Sequence, residues 1–275
     1  MESSAISTVR PTVVAHRGAS AHKAEHTLAA YALALAQGAG GVECDVRLTR
    51  DGHLVCVHDR TVNRTSSGRG VVSELTLDHM SALDFGNWHD EFPHADDLAH
   101  RPAKTPPGEP ETGLLTLDAL LGLVTETAPD TRLFIETKHP VRYGPLVEAK
   151  LIALLARHGL AKPAHPDESR VVLMSFSALA VRRIRRYSPT LPTVLLLDRI
   201  TGRRDGSLPP GVTISGPGVH VLRADPDYVR RARLHGHDTY CWTVDDPADV
   251  ALCRELGVRY LATNSPLTTL ATLNG

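Results

Sequence analysis

The sequence alternates between short runs typical of buried strands and longer runs with helical periodicity, and this order restricts the fold more than any other feature. Strand-like runs occupy nine segments, at 12–18, 40–49, 53–59, 132–138, 170–176, 193–198, 211–216, 238–244 and 260–265. Helical patterns lie between most of them, at 26–38, 146–159, 177–188, 225–236 and 246–257. Such alternation predicts parallel strands joined by crossover helices.

The number of these units fits a closed barrel. About eight strand–helix units in a chain of 275 residues is the size of a (β/α)8 TIM barrel. An open doubly wound sheet is the alternative, but no G-x-G-x-x-G follows the first strand to support nucleotide binding. We therefore expect an α/β fold of the (β/α)8 TIM barrel type, formed by residues 1–275 as a single domain.

One stretch interrupts the alternation. Residues 60–114 contain turn signals, one short helical pattern and a Pro-rich segment, with few apolar side chains. A segment so poor in apolar residues cannot form a core of its own. It is predicted to be a small insertion between the early strands and the strand that carries Glu136.

Charge and hydropathy exclude some partners. The formal net charge is −1, which gives no electrostatic basis for binding nucleic acid. No run approaches 18 apolar residues, so stable membrane insertion is not expected. Four cysteines without a C-x-x-C pair fall in apolar patterns, which favours buried free thiols. These features predict a cytoplasmic protein whose partner is a small molecule; they do not predict an oligomeric state.

Acidic and basic residues lie inside two of the predicted strands. Because side chains alternate between the two faces of a strand, Glu43 and Asp45 share one face of 40–49. The same rule places Glu136 and Lys138 together on one face of 132–138. An unpaired buried carboxylate is costly, so these groups are expected to point into the barrel, toward a cation.

Polar residues also concentrate at the C-terminal ends of the predicted strands, where barrels of this type form active sites. The set comprises His16, Arg17, Glu43, Asp45, His58, Glu136 and Lys138. Carboxylates alone suit a hard divalent cation, Mg²⁺ or Ca²⁺. Arg17 suits a phosphate, and two histidines can act as acid and base near neutral pH. Together these groups indicate phosphodiester hydrolysis.

A metal-dependent amidohydrolase is a competing interpretation. It requires an H-x-H pair at the end of the first strand, where this chain has His16 and Arg17. The H-x-H formed by His235 and His237 precedes a strand and is interpreted as surface.

Several motifs resemble those of the glycerophosphodiester phosphodiesterase family. They are AHRGAS, the E-x-T of AEHT, GGVECDVRLTRDGHLVCVHD, RTSSGRGVVSELTLDHMSALDFGNW, LLTLDALL, FIETK, CWTVDDPADVALCRELGV and LATNSP. The resemblance extends from about Val13 to Pro266. It implies a (β/α)8 barrel that hydrolyses glycerophosphodiesters to glycerol 3-phosphate and an alcohol.

The same resemblance implies roles for single residues. His16 and His58 match the acid and base. The divalent-cation ligands match Glu43, Asp45 and Glu136. Phosphate and substrate contacts match Arg17, Lys138 and Trp242, although Trp242 fits a core aromatic equally well. The resemblance also implies that a hydroxyl of the substrate's own glycerol attacks the phosphate, and that water then opens the cyclic product.

Two departures from the family pattern concern substrate preference. Pro-Glu-Asn-Thr is replaced by Ala24-Glu25-His26-Thr27, and Thr-Asp near the last strand is replaced by Thr263-Asn264. His26 replaces the hydrogen bond of the Asn, or that bond is lost. Asn264 removes one negative charge from the barrel mouth.

Two further functions remain open. One is phospholipase D-like hydrolysis of a lysophospholipid or sphingolipid, which needs an apolar lip; the insertion offers Phe85, Trp88 and Phe92 for it. The other is a non-catalytic barrel that binds a phosphorylated metabolite.

Overall fold

The structure is a computed structural model that describes residues 10–86, 113–200 and 202–275. Within these ranges it has nine strands: β1 Thr12–His16, β2 Gly41–Leu48, β3 Leu54–Cys56, β4 Arg132–Thr137, β5 Val171–Ser175, β6 Thr193–Leu197, β7 Ile214–Pro217, β8 Asp238–Cys241 and β9 Tyr260–Thr263. The same ranges contain nine α-helices: α1 Leu28–Ala36, α2 Leu77–Ser81, α3 Leu117–Thr127, α4 Leu146–Arg157, α5 Ala178–Tyr187, α6 Val219–Ala224, α7 Asp227–Leu234, α8 Pro247–Leu256 and α9 Pro266–Asn274. Most elements fall where the sequence predicts them.

Eight of the strands form a closed parallel barrel. Each pairs in parallel with its neighbour in the order β1-β9-β8-β7-β6-β5-β4-β2, and β1 pairs with β2 to close the ring. Helices connect most successive strands on the outside. The predicted (β/α)8 barrel is confirmed.

The ninth strand lies outside the ring. The run 53–59 forms only the three residues of β3, which pair antiparallel with the end of β2, Cys56 opposite Val46. β2 therefore extends past the barrel rim, and β3 returns along it. His58 reaches the mouth because of this hairpin, not because it ends a barrel strand as the sequence argument assumed.

Alternation along the strands separates two apolar layers. Inward-facing side chains fill the barrel, among them Val14, Phe134, Met174 and Tyr240. Outward-facing side chains pack under the helices. Side-chain caps from Thr27, Thr116, Ser177 and Asp246 fix the starts of α1, α3, α5 and α8.

The described part of the insertion does not form an independent core. Residues 60–86 contain a short 3-10 helix at Val72–Glu74 and α2. Their apolar side chains pack on Val55 and Val57 of the β3 hairpin. Phe85 is buried in this cluster and so is not available for an apolar lip, while Trp88 and Phe92 lie outside the described residues. The single-domain organisation stays a prediction.

Other expectations can be compared directly with the structure. All four cysteines are buried and free, as predicted. Helices α6 and α9 were not predicted; both are short, and α6 has little helical periodicity. In the described ranges, every helix is too short or too polar to cross a lipid bilayer.

Candidate active site

The polar residues predicted from the strand ends meet at the C-terminal mouth of the barrel. A small cavity of about 80 Å³ opens there. Its walls include His16, Arg17, Glu43, His58, Glu136, Lys138 and Trp242. Asp45 lies just beneath, in contact with Arg17 and Lys138. The structure thus brings all eight predicted site residues together.

Three carboxylates form the floor of this site. Glu43, Asp45 and Glu136 each offer an oxygen within 4.8 Å of the other two, and all three are 5% exposed or less. Adjacent strands place them, since Asp45 lies opposite Glu136 in the β2–β4 register. Burial and the charge of Asp45 raise the pKa of Glu43 well above its usual range and that of Glu136 to about 8. Ionisation of all three carboxylates together is therefore unfavourable without a further cation.

Two cations contact the central carboxylate. Lys138 Nζ lies 2.9 Å from Asp45 Oδ1 and 2.9 Å from Glu136 Oε2, and Arg17 Nε lies 3.2 Å from Asp45 Oδ2. Although burial opposes ionisation, Lys138, His26 and Arg17 hold the pKa of Asp45 well below its usual range. Asp45 is therefore the member of the trio that stays ionised.

A tight turn after β1 aims Arg17. Its φ is +59° and that of Gly18 is +84°, in the left-handed region that glycine adopts without steric cost. The Arg17 backbone N–H donates to the Glu43 carboxylate at 3.1 Å. At Gly18 an added Cβ would lie 2.7 Å from the Ala30 carbonyl carbon. The helix after the turn leaves no room for any residue but glycine.

His16 is held by a chain of hydrogen bonds to the last strand. Asn264 Nδ2 donates to Asp245 Oδ2 at 2.6 Å, which orients the amide oxygen toward the histidine. His16 Nδ1 lies 2.8 Å from that oxygen and must be the N–H donor. Nε2 therefore carries the lone pair and lies 4.0 Å from Glu43 Oε2. Burial and the adjacent Arg17 lower the pKa of His16 to about 3.

His58 is oriented by a different network. Its Nδ1 lies 2.7 Å from Asp59 Oδ1, and Arg64 donates to the same carboxylate. Arg64 also makes a two-pronged contact with Glu25, which pairs with Arg17 at 3.2 Å. Burial lowers the pKa of His58, although the charge of Asp45 opposes this. Both histidines are thus held neutral, each with its Nδ1 bound.

His26 occupies the position of the family's Asn and makes a buried bond in its place. Its Nε2 lies 3.0 Å from Asp45 Oδ2 and its Nδ1 lies 2.8 Å from the Tyr31 hydroxyl. The Tyr31 hydroxyl donates its proton to the Glu43 carbonyl at 2.9 Å. His26 and Tyr31 thus connect the side chain of Asp45 to the backbone of Glu43. His26 thus makes a buried hydrogen bond at this position; that it replaces the bond of the family's Asn stays a prediction.

Trp242 belongs to the rim and packs on the barrel interior. Its Nε1–H donates to the Gly216 carbonyl at 2.8 Å, and its ring packs edge-on against Phe176, with centroids 5.3 Å apart. Phe176 is 44% exposed. One face of the mouth is therefore aromatic.

Sequence reasoning did not assign roles to the residues that orient the histidines. Asp59, Arg64, Glu25 and Asp245 come from loops, where the period-two rule of strands gives no direction. Asp59 could have been suspected of orienting His58 because the two residues are adjacent in the sequence.

Comparison with protein families gives one match along most of the chain. Residues 16–268 match the Glycerophosphoryl diester phosphodiesterase family. A curated relative from Mycobacterium tuberculosis, named probable glycerophosphodiester phosphodiesterase 1, is 53% identical over 96% of this chain and 92% of its own length. The glycerophosphodiester phosphodiesterase of Bacillus subtilis is 33% identical over 95% and 86%.

Solved structures share the fold. An Oleispira antarctica phosphodiesterase, solved in complex with the product sn-glycerol-3-phosphate, superposes with a TM-score of 0.80 at 21% identity, covering 96% of this chain and 97% of its own. A glycerophosphodiester phosphodiesterase from Agrobacterium tumefaciens superposes with a TM-score of 0.73 at 24% identity, covering 95% and 99%.

Proposed function

Because the chain belongs to the glycerophosphoryl diester phosphodiesterase family, we propose that it hydrolyses glycerophosphodiesters to glycerol 3-phosphate and an alcohol, with one divalent cation and two histidines. Membership establishes the enzyme class; the cation and the residue roles are the proposal. The observation that supports it best is the buried carboxylate trio beside two neutral histidines and two cations, all at one barrel mouth.

The carboxylate trio fits a hard divalent cation. Its donors are all oxygen and lie within 4.8 Å of one another, which suits Mg²⁺ or Ca²⁺. Glu43, Asp45 and Glu136 would hold the ion. When bound, it would supply charge neutralisation at the phosphate.

Arg17 and Lys138 bind the phosphate oxygens in this proposal. Arg17 Nε is buried and makes no hydrogen bond in the structure despite its proximity to Asp45. A buried donor without an acceptor is rare in proteins, and a phosphate oxygen would supply one. Lys138 adds a second positive charge between Asp45 and Glu136.

The two histidines transfer protons on either side of the phosphorus. One accepts the proton of the attacking hydroxyl at its free Nε2, and the other donates a proton to the leaving alcohol oxygen. The phosphate carries two negative charges in the transition state, and these raise the pKa of a nearby imidazole. The histidine whose pKa is raised in this way is the one that carries the proton for the leaving alcohol. The Asn264 and Asp59 bonds fix both Nε2 atoms toward the mouth.

A second candidate substrate is a lysophospholipid or sphingolipid. The exposed ring of Phe176, packed on Trp242, supports it because an acyl chain could lie on this aromatic face. The test is a comparison of lysophosphatidylcholine with glycerophosphocholine at equal concentration. A non-catalytic role has less support, since the site retains every group that the reaction needs. A cytoplasmic location stays a prediction.

The experiment that tests the proposed function is release of glycerol 3-phosphate from glycerophosphocholine by the purified protein. We expect release with Mg²⁺ or Ca²⁺ and none in EDTA. E136Q, which removes one ligand charge, should need more cation for the same rate. Full activity in EDTA after exhaustive chelation would refute the cation, and inactivity toward every glycerophosphodiester would refute the reaction.

A further inference from the structure

A groove of about 520 Å³ opens beside the mouth. Its walls come from three segments that directly follow proposed site residues. Arg47 and Leu48 follow Asp45 on β2, Arg60 follows His58, and residues 140–143 follow Lys138. Residues 72–74 form the outer wall. The segments that line the groove are thus close in sequence to the proposed site residues.

The groove carries an excess of positive charge. Its walls contain Arg47, Arg60 and Arg142 against one carboxylate, Glu74, which pairs with Arg142 at 3.6 Å. Arg47 and Arg60 have no carboxylate within ion-pair distance anywhere in residues 10–86, 113–200 and 202–275. Two arginines on one groove without counterions form a binding position for an anion.

Arg47 is the more constrained of the two. Its Nε and one terminal nitrogen donate to the His58 carbonyl at 3.0 and 2.8 Å, which fixes the guanidinium at the boundary between mouth and groove.

The groove lies at a short distance from the reaction centre. Arg47 shares the inward face of β2 with Glu43 and Asp45, and two residues along a strand span roughly 6.6 Å. Trp242 follows β8, which lies across the ring from β2 and Arg47, so the tryptophan and the groove lie on different sides of the carboxylates. A phosphodiester at the carboxylates can therefore place its glycerol on the aromatic side and its alcohol in the groove.

We propose that this groove binds a phosphate carried by the leaving alcohol, so that the enzyme prefers glycerophosphodiesters whose alcohol is itself phosphorylated. The inference rests on the proposed function. Arginine forks match phosphate oxygens in pairs.

The test uses two substrates that differ by one phosphate. They are glycerophosphoglycerol and the same diester with a terminal phosphate on the leaving glycerol. We expect the ratio of their kcat/KM values to favour the phosphorylated diester by about tenfold at low salt, as for one charge-assisted contact at a partly exposed site. R60Q should bring the ratio close to one, and R60E should reverse it.

The matched control is R186Q, which removes the same charge from an exposed position on α5 and should leave the ratio unchanged. The preference should also shrink as salt increases, since screening weakens contacts at exposed arginines. A wild-type ratio near one, or a preference that R60Q and R60E leave intact, would overturn the inference.

A binding measurement separates failure of this inference from failure of the proposed function. If neither diester is hydrolysed with added cation, the proposed function fails. Calorimetric titration of both diesters into the same protein then still tests the groove. Tighter binding of the phosphorylated diester that is lost in R60Q supports it, and equal binding of the two diesters overturns it.

Discussion

At the scale of single residues, the two histidines are held by opposite kinds of partner. His16 donates to a neutral amide, Asn264, whereas His58 contacts a carboxylate, Asp59. A carboxylate partner favours the protonated ring and an amide does so less. The two histidines therefore differ in proton affinity, which is the requirement for dividing acid and base roles between them.

Replacing His58 should remove one proton transfer and little else. We expect H58A to lower kcat on glycerophosphocholine by about 10² to 10⁴, the usual value of a general acid or base, with an unchanged melting temperature. H79A, at an exposed position on α2, is the control and should retain the wild-type rate. A wild-type rate in H58A would remove His58 from the mechanism.

The lowered pKa of His58 can be measured directly. Burial outweighs the Asp59 contact, so the pKa of His58, measured as its NMR titration midpoint in cation-free protein, should lie below the usual value of 6.5. The unfolded chain then binds the proton more readily than the native one, and this contribution to the free energy of unfolding falls as pH decreases below 6.5. H58Q should reduce that dependence. A midpoint above 6.5 would mean that Asp59 dominates.

His26 is expected to position Asp45. H26A removes the bond to Asp45 Oδ2 and should weaken Mg²⁺ or Ca²⁺ binding about tenfold, because partners of metal ligands are worth 10- to 100-fold in affinity. H26N accommodates the left-handed backbone at this position and restores the family residue, so it should recover part of the affinity. Calorimetry with each cation measures the effect without catalysis. Equal affinities in H26A and the wild type would contradict this role.

At the scale of elements, the positions of side chains on regular strands could be predicted from the sequence, and those on irregular loops could not. Period-two alternation placed Glu43 and Asp45 on the inner face of β2 and Glu136 on that of β4, and the structure agrees. The sequence of 40–59 indicates two strands folded back on each other, but the same rule could not show that β3 lies outside the ring, since an antiparallel and a parallel strand have the same pattern. The partners Glu25, Arg64 and Asp245 come from loops, whose direction depends on tertiary contacts.

The turn between β1 and α1 gives a prediction at this scale. G18A should destabilise the protein by several kcal/mol, because a Cβ at φ +84° costs about 1–2 kcal/mol and would also meet the Ala30 backbone at 2.7 Å. G144A is the matched control, since Gly144 also has a positive φ but has no neighbour within 4 Å of an added Cβ. Urea unfolding of both variants separates the two effects. Equal losses would show that the close approach to α1 is unimportant.

At the scale of the whole molecule, the carboxylate trio couples the cation to global stability. The trio joins β2 and β4, and burial with the charge of Asp45 disfavours the ionised forms of Glu43 and Glu136. A bound cation would stabilise these ionised forms and, with them, the folded barrel. A ligand at 100 times its dissociation constant stabilises a protein by about 2.7 kcal/mol. We expect Mg²⁺ or Ca²⁺ to raise the melting temperature by several degrees and EDTA to reverse the shift. E136Q should show a smaller increase in melting temperature. An increase equal to that of the wild type would mean that the cation binds at another site.

The contact between His16 and Asn264 joins residues separated by 248 positions. During synthesis, all three proposed cation ligands leave the ribosome well before β9 does. At roughly 5–20 residues per second, the whole chain takes roughly 14 to 55 s to make. In a nascent chain, the three carboxylates of the trio can therefore be present before Asn264 is available to orient the His16 ring. A chain that has not yet reached Asn264 therefore lacks the group that orients His16.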